Sequence, residues 1–425
     1  MFRTGSRVFD RAARPVPRAP TRTPGVVRAL LRLRSRIVNS GRPVVIVAAA
    51  RSPFGRRGGA LAGVHPVDLG ATVVEALLAG AGCDPAAISG LIVGCASPVG
   101  EQALGLARHV GRAVGLGDSV PGTTVDTQCT SGLRAVQLAC DSVGAGAADV
   151  VVAGGLESMS RVPFGTALLL GGDPFGARLA EGAPAPVPQG VAAERAAERA
   201  ALSRDALDEW AQRSHERVAA ARAAGIARRE IVSVNGVVDD ATESGAPAAA
   251  RLAALSAQAP SYEPGGVVTA GNSAPIADGA AIVLVAAEDA AATLGLPVLA
   301  RVAGSAIGAG DPAVLGSAAA AVAERALTLA GVSPGEVDRF EVGEQFAVVP
   351  LAWAQAAGAP LERVNVHGGA IALGHPVGAT GAQLVVTLAH SLQAGEGRRG
   401  LVVMAGADGG CSALVLEAPE ARPSV

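Results

Sequence analysis

The chain has 425 residues, half of them apolar and 17% charged, with a formal net charge of −2; this excludes a disordered chain and supplies a core for two or three domains or for one large α/β unit with an insertion. All 35 basic residues are arginine, which excludes a lysine Schiff base and a P-loop lysine. Aromatic residues at 2% are too few for base-stacking platforms, and five cysteines without a CxxC pair argue against a disulfide framework or a zinc site.

Residues 1–42 hold 11 arginines and a single acid, Asp10, which leaves 24 basic and 36 acidic residues, a formal −12, for the rest. An acidic body without a basic patch speaks against nucleic acid as a partner. The leader resembles a mitochondrial transit peptide in charge, but Pro15, Pro17, Pro20 and Pro24 break any long amphipathic helix, so a disordered tail is the other reading. It lacks the apolar centre of a secretory signal, and no run reaches the roughly 18 apolar residues of a membrane span. A cytoplasmic location is expected, with the mitochondrial matrix as the alternative if the leader is a transit peptide.

Val44–Val47 is a β-branched run that predicts a buried parallel strand, followed by a helix over His65–Leu78, a strand at Leu91–Val93 and a helix over Leu104–Val114. A strand at Thr123–Val125, a helix over Ser131–Val143 and a strand at Val150–Val152 complete a parallel α/β pattern. From 162 to 265 the strands fade, and the charge-dense stretch Ala192–Arg229 predicts an exposed helical insertion. The sheet pattern returns at Ile282–Val285. The last third alternates again: strands at Val298–Val302, Val337–Val342, Val364–Val366, Leu401–Met404 and Ala413–Leu416, with helices over Ser317–Leu329, Phe346–Ala356 and Thr380–Leu392. The similarity of Val150–Gly154 to Leu401–Gly406 points to an internal duplication, with a site where strand C-termini meet helix N-termini.

Two residues carry the chemistry. Cys129 stands on a strand-to-helix turn, where the helix dipole favours the thiolate, and Gly132 permits close approach. His375 lies in a run with five glycines between Gly368 and Gly381, before Pro376, at a comparable place in the second half. An elbow cysteine paired with such a histidine points to nucleophilic catalysis. The first strand is not followed by G-x-G-x-x-G, which speaks against a nicotinamide-dependent oxidoreductase.

The stretch Asp126–Val136 around Cys129 resembles the nucleophile motif of the thiolases. Gly154–Ser160, Val268–Ser273 followed by Asp278–Ala281, and the glycine-histidine-proline run around His375 resemble three further motifs of that family, in the same order, over residues 43–418. The resemblance implies an α/β thiolase fold: two duplicated βαβαβαββ halves in a five-layered αβαβα core. The N-terminal half would be 43–161 plus 266–289, the C-terminal half 290–425, and the loop domain 162–265 would cover coenzyme A. It implies acyl transfer to and from coenzyme A as co-substrate, without a metal or other cofactor. The reaction would be cleavage of a 3-ketoacyl-CoA or the reverse condensation, and the assembly a homodimer or homotetramer. Cys129 would carry the acyl thioester, His375 would take its proton, and N–H groups near Gly406 or Ala407 would hold the oxyanion. Ser273 and the Ser158–Ser160 turn would meet the pantetheine.

Two departures from the family pattern bear on carbon–carbon chemistry. The Asn-Glu-Ala-Phe box reads Gly343-Glu344-Gln345-Phe346, so the asparagine that helps hold a catalytic water is glycine. Ala405 stands where a second, acid/base cysteine is expected, with Cys411 six residues later. Cys411, His367 and Glu344 are the candidates to take over its role. If none does, the protein is an acyl-CoA binder or a slow acyl-transfer or thioesterase variant, since losing an acid/base group costs roughly 10²–10⁴ in rate.

Overall fold

The computed structural model describes residues 41–169, 171–182, 187–241 and 248–419. The arginine-rich leader lies outside these residues except for Gly41 and Arg42. Arg42, counted above with the leader, is bonded to Asp149 and Asp289 at 2.6 and 2.7 Å.

The N-terminal half consists of strand β1 (Val44–Arg51), helix α1 (Pro66–Ala81), β2 (Gly90–Gly94), α2 (Leu106–Ala113), β3 (Gly122–Val125), α3 (Ser131–Gly144), β4 (Val150–Ser158) and, after the inserted segment, β5 (Ala277–Ala287). The inserted segment contains α4 (Gln189–Arg199) and α5 (Arg204–Ala223). The C-terminal half contains β6 (Ala300–Ala309), α6 (Ala319–Ala330), β7 (Arg339–Val342), α7 (Val348–Ala357), α8 (Val377–Gln393), β8 (Arg399–Ala405) and β9 (Gly410–Glu417). Local signals set the helix ends. Pro66 occupies the first turn of α1, His65 caps it and Gly82 ends it in the left-handed region. Leu104 and Gly105 both have positive φ, so α2 starts at Leu106 rather than Leu104.

The strand order is β3-β2-β4-β5-β1-β6-β9-β8-β7. Read from the centre outward, the N-terminal half runs first, fifth, fourth, second and third strand, and the C-terminal half runs β6, β9, β8 and β7 in the same pattern with only a bridge at Val364 in place of the third strand, which is the duplication expressed as topology. The halves join where β1 meets β6 at Val45↔Arg301 and Ile46↔Ala300. β1 is buried as expected, but both of its neighbours, β5 and β6, are antiparallel to it, which corrects the parallel reading. An apolar run reports burial on both faces and not the direction of the partner.

The third strand of the C-terminal half is also corrected. Of Val364–Val366 only Val364 pairs, in one parallel bridge with Phe340. Asn365 turns into the left-handed region with φ 47°, and its carboxamide takes over the ladder. Its Oδ1 accepts from Val342 N–H at 2.7 Å and its Nδ2 donates to Val342 O at 2.8 Å.

Side-chain alternation sorts the strands into layers. Val150, Val152, Ile282 and Leu284 point to an outer core under α1 and α2. Val151, Ala153, Val283, Val402 and Met404 point to a middle core shared by α3 and α8. Leu401, Val403, Ala413 and Val415 point to a third core under α6 and α7. The result is α/β/α/β/α. Helix α8 is buried nearly all round, as a helix of the central layer must be.

The inserted helices are exposed only on their outer side. Ala192, Ala193, Ala196, Leu207, Trp210 and Ala211 enter the third core. A segment that interrupts the N-terminal half in sequence therefore packs on the C-terminal half.

The central helices approach within glycine distance. A Cβ on Gly132 would lie 2.5 Å from the Gly378 carbonyl oxygen, and one on Gly155 would collide with the same carbonyl. Gly155→Ala is therefore expected to destabilise the protein by about 1–3 kcal/mol. Gly63→Ala, placed in open space, is expected to leave the urea midpoint within error.

Candidate active site

The turn that presents Cys129 is held by its own side chains. The Asp126 carboxylate accepts from Gln128 N–H at 2.9 Å, and the Ser131 hydroxyl accepts from Thr127 N–H at 2.9 Å while donating to Gln128 O at 2.5 Å. These bonds offset the positive φ of 52° at Gln128, a conformation that costs a non-glycine residue about 1–2 kcal/mol. Cys129 follows at once, one residue before the cap of α3, and is only 3% exposed.

Three groups donate toward the Cys129 sulfur: Gln189 Nε2 from the start of α4 at 3.6 Å, the Gln345 carboxamide, and the backbone N–H of Ala407. They lower the thiol pKa. Burial is the larger effect, and Asp408 adds to it, so the thiol is pushed up to about 11. This corrects the expectation of a resting thiolate. Desolvation of the sulfur outweighs the helix N-terminus in the unliganded protein.

His375 is buried, and its Nδ1 lies 2.7 Å from Thr380 Oγ1. The Thr380 hydroxyl donates its one proton to Pro376 O at 3.0 Å, so it accepts from His375. This network assigns the proton to Nδ1 and leaves the Nε2 lone pair buried and without a partner among the described residues. Burial pushes the imidazole pKa down to about 4, so the ring is neutral. His375 stands three residues before Gly378, and Cys129 three before Gly132. The glycine contact thus brings the two helix mouths together.

Glu157 fastens this junction. Its buried carboxylate accepts from Ala96 N–H at 2.8 Å, Gly378 N–H at 2.9 Å, Ser97 N–H at 3.2 Å and Gln102 Nε2 at 2.7 Å. The carboxylate sits at the positive end of α8. Burial raises its pKa, and these donors pull it down.

The other sequence candidates occupy different places. Gly406 is at the site, but its N–H is bonded to Gly410 O, so of the two proposed backbone donors only Ala407 N–H faces the sulfur. The Ser273 hydroxyl donates to Thr269 O at 2.6 Å. Ser158 and Ser160 both bond to buried Asp278. Glu344 accepts from Trp210 at 3.0 Å and Ser214 at 2.8 Å on α5, and from Asn365 at 2.8 Å and Ile371 N–H at 3.3 Å. It clamps the inserted segment to the C-terminal half, and both of its oxygens are saturated. His367 bonds to Glu396 at 2.7 Å and lines a separate cavity with Arg51, Asp240 and Gln383. Cys411 lies directly opposite Ala405 in the β8–β9 register. Facing pairs share a face of the sheet, with Cβ atoms roughly 4.5–5.5 Å apart. That pair belongs to the third core and Cys129 to the middle one. Burial pushes the Cys411 thiol up to about 11.

Gln189, Thr380 and Glu157 were not singled out from the sequence, and Gln345 entered only as part of its box. Gln345 carried a signal, since it departs from the motif together with Gly343. A glutamine opening a helix some 60 residues from the cysteine carries none.

Residues 44–289 match the family model described as thiolase, N-terminal domain, and residues 296–418 match that described as thiolase, C-terminal domain. The chain is 37% identical over 387 residues to the steroid 3-ketoacyl-CoA thiolase FadA6 of Mycobacterium tuberculosis, covering 88% of this chain and 93% of that protein. It is 38% identical to the acetyl-CoA acetyltransferase of Escherichia coli K12, covering 88% and 98%. The crystal structure of human mitochondrial 3-ketoacyl-CoA thiolase in complex with CoA superposes with a TM-score of 0.81 at 31% identity, covering 89% of this chain and 98% of that one. The chain belongs to the thiolase family and is an acyltransferase. Among the described residues, no helix is long and apolar enough to cross a membrane.

His375 gives a testable dependence of stability on pH. The folded ring stays neutral down to about pH 4, whereas the unfolded ring takes up a proton near 6.5. Between these values the unfolded chain binds more protons, so this contribution is complete above about pH 6.5 and is lost as the pH falls toward 4. In urea titrations, His375→Asn is expected to flatten the stability curve in that window.

Proposed function

We propose that the protein is a thiolase-type acyl-CoA C-acyltransferase that carries its acyl group as a thioester on Cys129. The observation that carries this reading is the neutral pair at the two helix mouths: a buried thiol, and a buried imidazole whose Nε2 has no partner among the described residues. A high thiol pKa and a low imidazole pKa keep the proton on sulfur until a substrate is bound. His375 Nε2 then takes the proton, and Cys129 Sγ attacks the 3-keto carbonyl. Ala407 N–H and the side-chain amides around the sulfur stabilise the charge that develops on the carbonyl oxygen. The bond between the α and β carbons breaks, the electron pair leaves on the α carbon, and a proton, made good by the one His375 took from Cys129, quenches it to release acetyl-CoA, while the shortened acyl group stays on Cys129 and the imidazole is neutral again. A second molecule of coenzyme A gives its thiol proton to His375, its sulfur attacks the Cys129 thioester to release the shortened acyl-CoA, and the expelled Cys129 sulfur takes the proton back from His375. The reverse order of steps is the condensation.

Position 405 offers no proton for the α carbon. Cys411, its cross-strand neighbour, is the candidate donor, and the inserted segment 162–265 is the candidate cover for coenzyme A.

Incubation with acetyl-CoA is expected to add one acetyl group to Cys129, read by mass spectrometry, and Cys129→Ala is expected to abolish both the adduct and the thiolysis of acetoacetyl-CoA. Full thiolysis by Cys129→Ala would overturn the reading. His375→Ala is expected to lower thiolysis by about 10²–10⁴. Cys411→Ala separates the two chemistries: acylation of Cys129 is expected to persist while carbon–carbon cleavage falls. If the unmodified protein is acylated but cleaves no 3-ketoacyl-CoA of any chain length, it is an acyl carrier or thioesterase variant instead.

A further inference from the structure

Gly343 and Gln345 depart from the Asn-Glu-Ala-Phe box together, and they are spatially coupled. A Cβ at position 343 would lie 3.0 Å from Gln345 Oε1 and 2.5 Å from Met404 Sδ. The space that a side chain at 343 would enter is thus filled by the carboxamide from 345 and the thioether from 404.

The Gln345 side chain is 3% exposed, and its Nε2 donates to Ala405 O, the end of β8. The same carboxamide reaches the Cys129 sulfur. Its Oε1 is buried and, among the described residues, without a partner. The backbone sets Gln345 beside His375: Ala274 N–H bonds to Gln345 O at 3.0 Å, and the next residue, Pro275, accepts from His375 N–H at 2.8 Å. Ile276 then bridges to His375. Two buried acceptors without partners, Gln345 Oε1 and His375 Nε2, therefore stand on adjoining segments beside one nucleophile. A buried acceptor left unbonded is costly, so the pair is suited to a bound water or to the thiol of an incoming ligand.

We propose that Gln345 is the positioning residue for Cys129, replacing the side chain missing at 343: its Nε2 holds the sulfur against Ala405 O, and its Oε1 holds a water beside His375. This rests on the reading of Cys129 as the nucleophile and extends it to a residue that the family pattern does not use in this way.

The test is alkylation of Cys129 by iodoacetamide across pH 6–11, in full-length protein without coenzyme A, with Cys129→Ser as the blank. Gln345→Met keeps the volume and removes both hydrogen-bonding groups, and Gln345→Glu keeps an acceptor and removes the donor. Loss of a hydrogen bond to a charged sulfur is expected to slow alkylation by about tenfold in both variants at each pH below the thiol pKa of about 11. An unchanged alkylation profile in Gln345→Met, with a native circular dichroism spectrum, would overturn the proposal.

The exchange of positions gives a second arm. Gly343→Asn alone is expected to lower the melting temperature and to block acylation of Cys129. Gly343→Asn with Gln345→Ala is expected to recover acylation to within about tenfold of the unmodified protein, as coupled sites do. Independent effects of the two substitutions would sink the idea even if Gln345→Met fails to fold. Alkylation needs no acyl substrate. Unmodified protein that alkylates with the expected Gln345 dependence but takes no acyl group from acetyl-CoA would therefore count against the proposed function alone.

Discussion

The site depends on how closely the mouths of α3 and α8 approach each other. The two helices come from opposite halves of a duplicated chain and share the central layer. Gly132 removes the side chain that would keep them apart, and Gly155 and Gly378 remove those that would hold α8 off the ends of β4 and β2. The Glu157 carboxylate then satisfies N–H groups of both halves, at Ala96, Ser97 and Gly378. A side chain at any of the three glycines would widen the junction, and Cys129 and His375 would move apart with it. The carboxylate is tolerated in the interior because four donors and a helix N-terminus compensate its lost hydration.

Burial at this junction also sets the resting chemistry. A dehydrated thiol holds its proton and a dehydrated imidazole refuses one, so both partners wait uncharged. The helix N-terminus and the three donors around the sulfur counter the desolvation only in part. A free protein in this state has a weakly nucleophilic sulfur, which limits side reactions until a substrate is bound. The inserted segment takes part in the arrangement. It brings Gln189 to the sulfur and is clamped to the C-terminal half by Glu344 through Trp210 and Ser214.

The parts of the site that were legible in the sequence are those whose signal is local. The turn before α3 is written in Asp126, Thr130 and Ser131, whose short side chains bond to the adjacent backbone. The second half announced itself through glycines around a histidine and a proline. The direction of β1's neighbours was not legible, because a run of valines reports burial alone. The strand expected at Val364–Val366 failed because the carboxamide of Asn365 replaces a strand ladder with two side-chain bonds, which hydrophobic patterning cannot register. Glu344 and His367 were legible as polar residues near family motifs, but what they face was not. One oxygen pair meets four donors from two segments, and the imidazole meets Glu396.

By itself, the sequence determined the duplicated α/β order, the insertion, the elbow cysteine and the glycine-lined histidine. These are properties of neighbouring residues, and backbone and helix-end preferences act over a few positions. The tertiary structure alone decided which tautomer His375 holds, that Cys129 rests as a thiol, that Ala407 rather than Gly406 offers its N–H, and that Gln345 occupies the space left at Gly343. Each of these depends on desolvation and hydrogen-bond partners drawn from segments far apart in the chain, and no local pattern records which distant groups will meet.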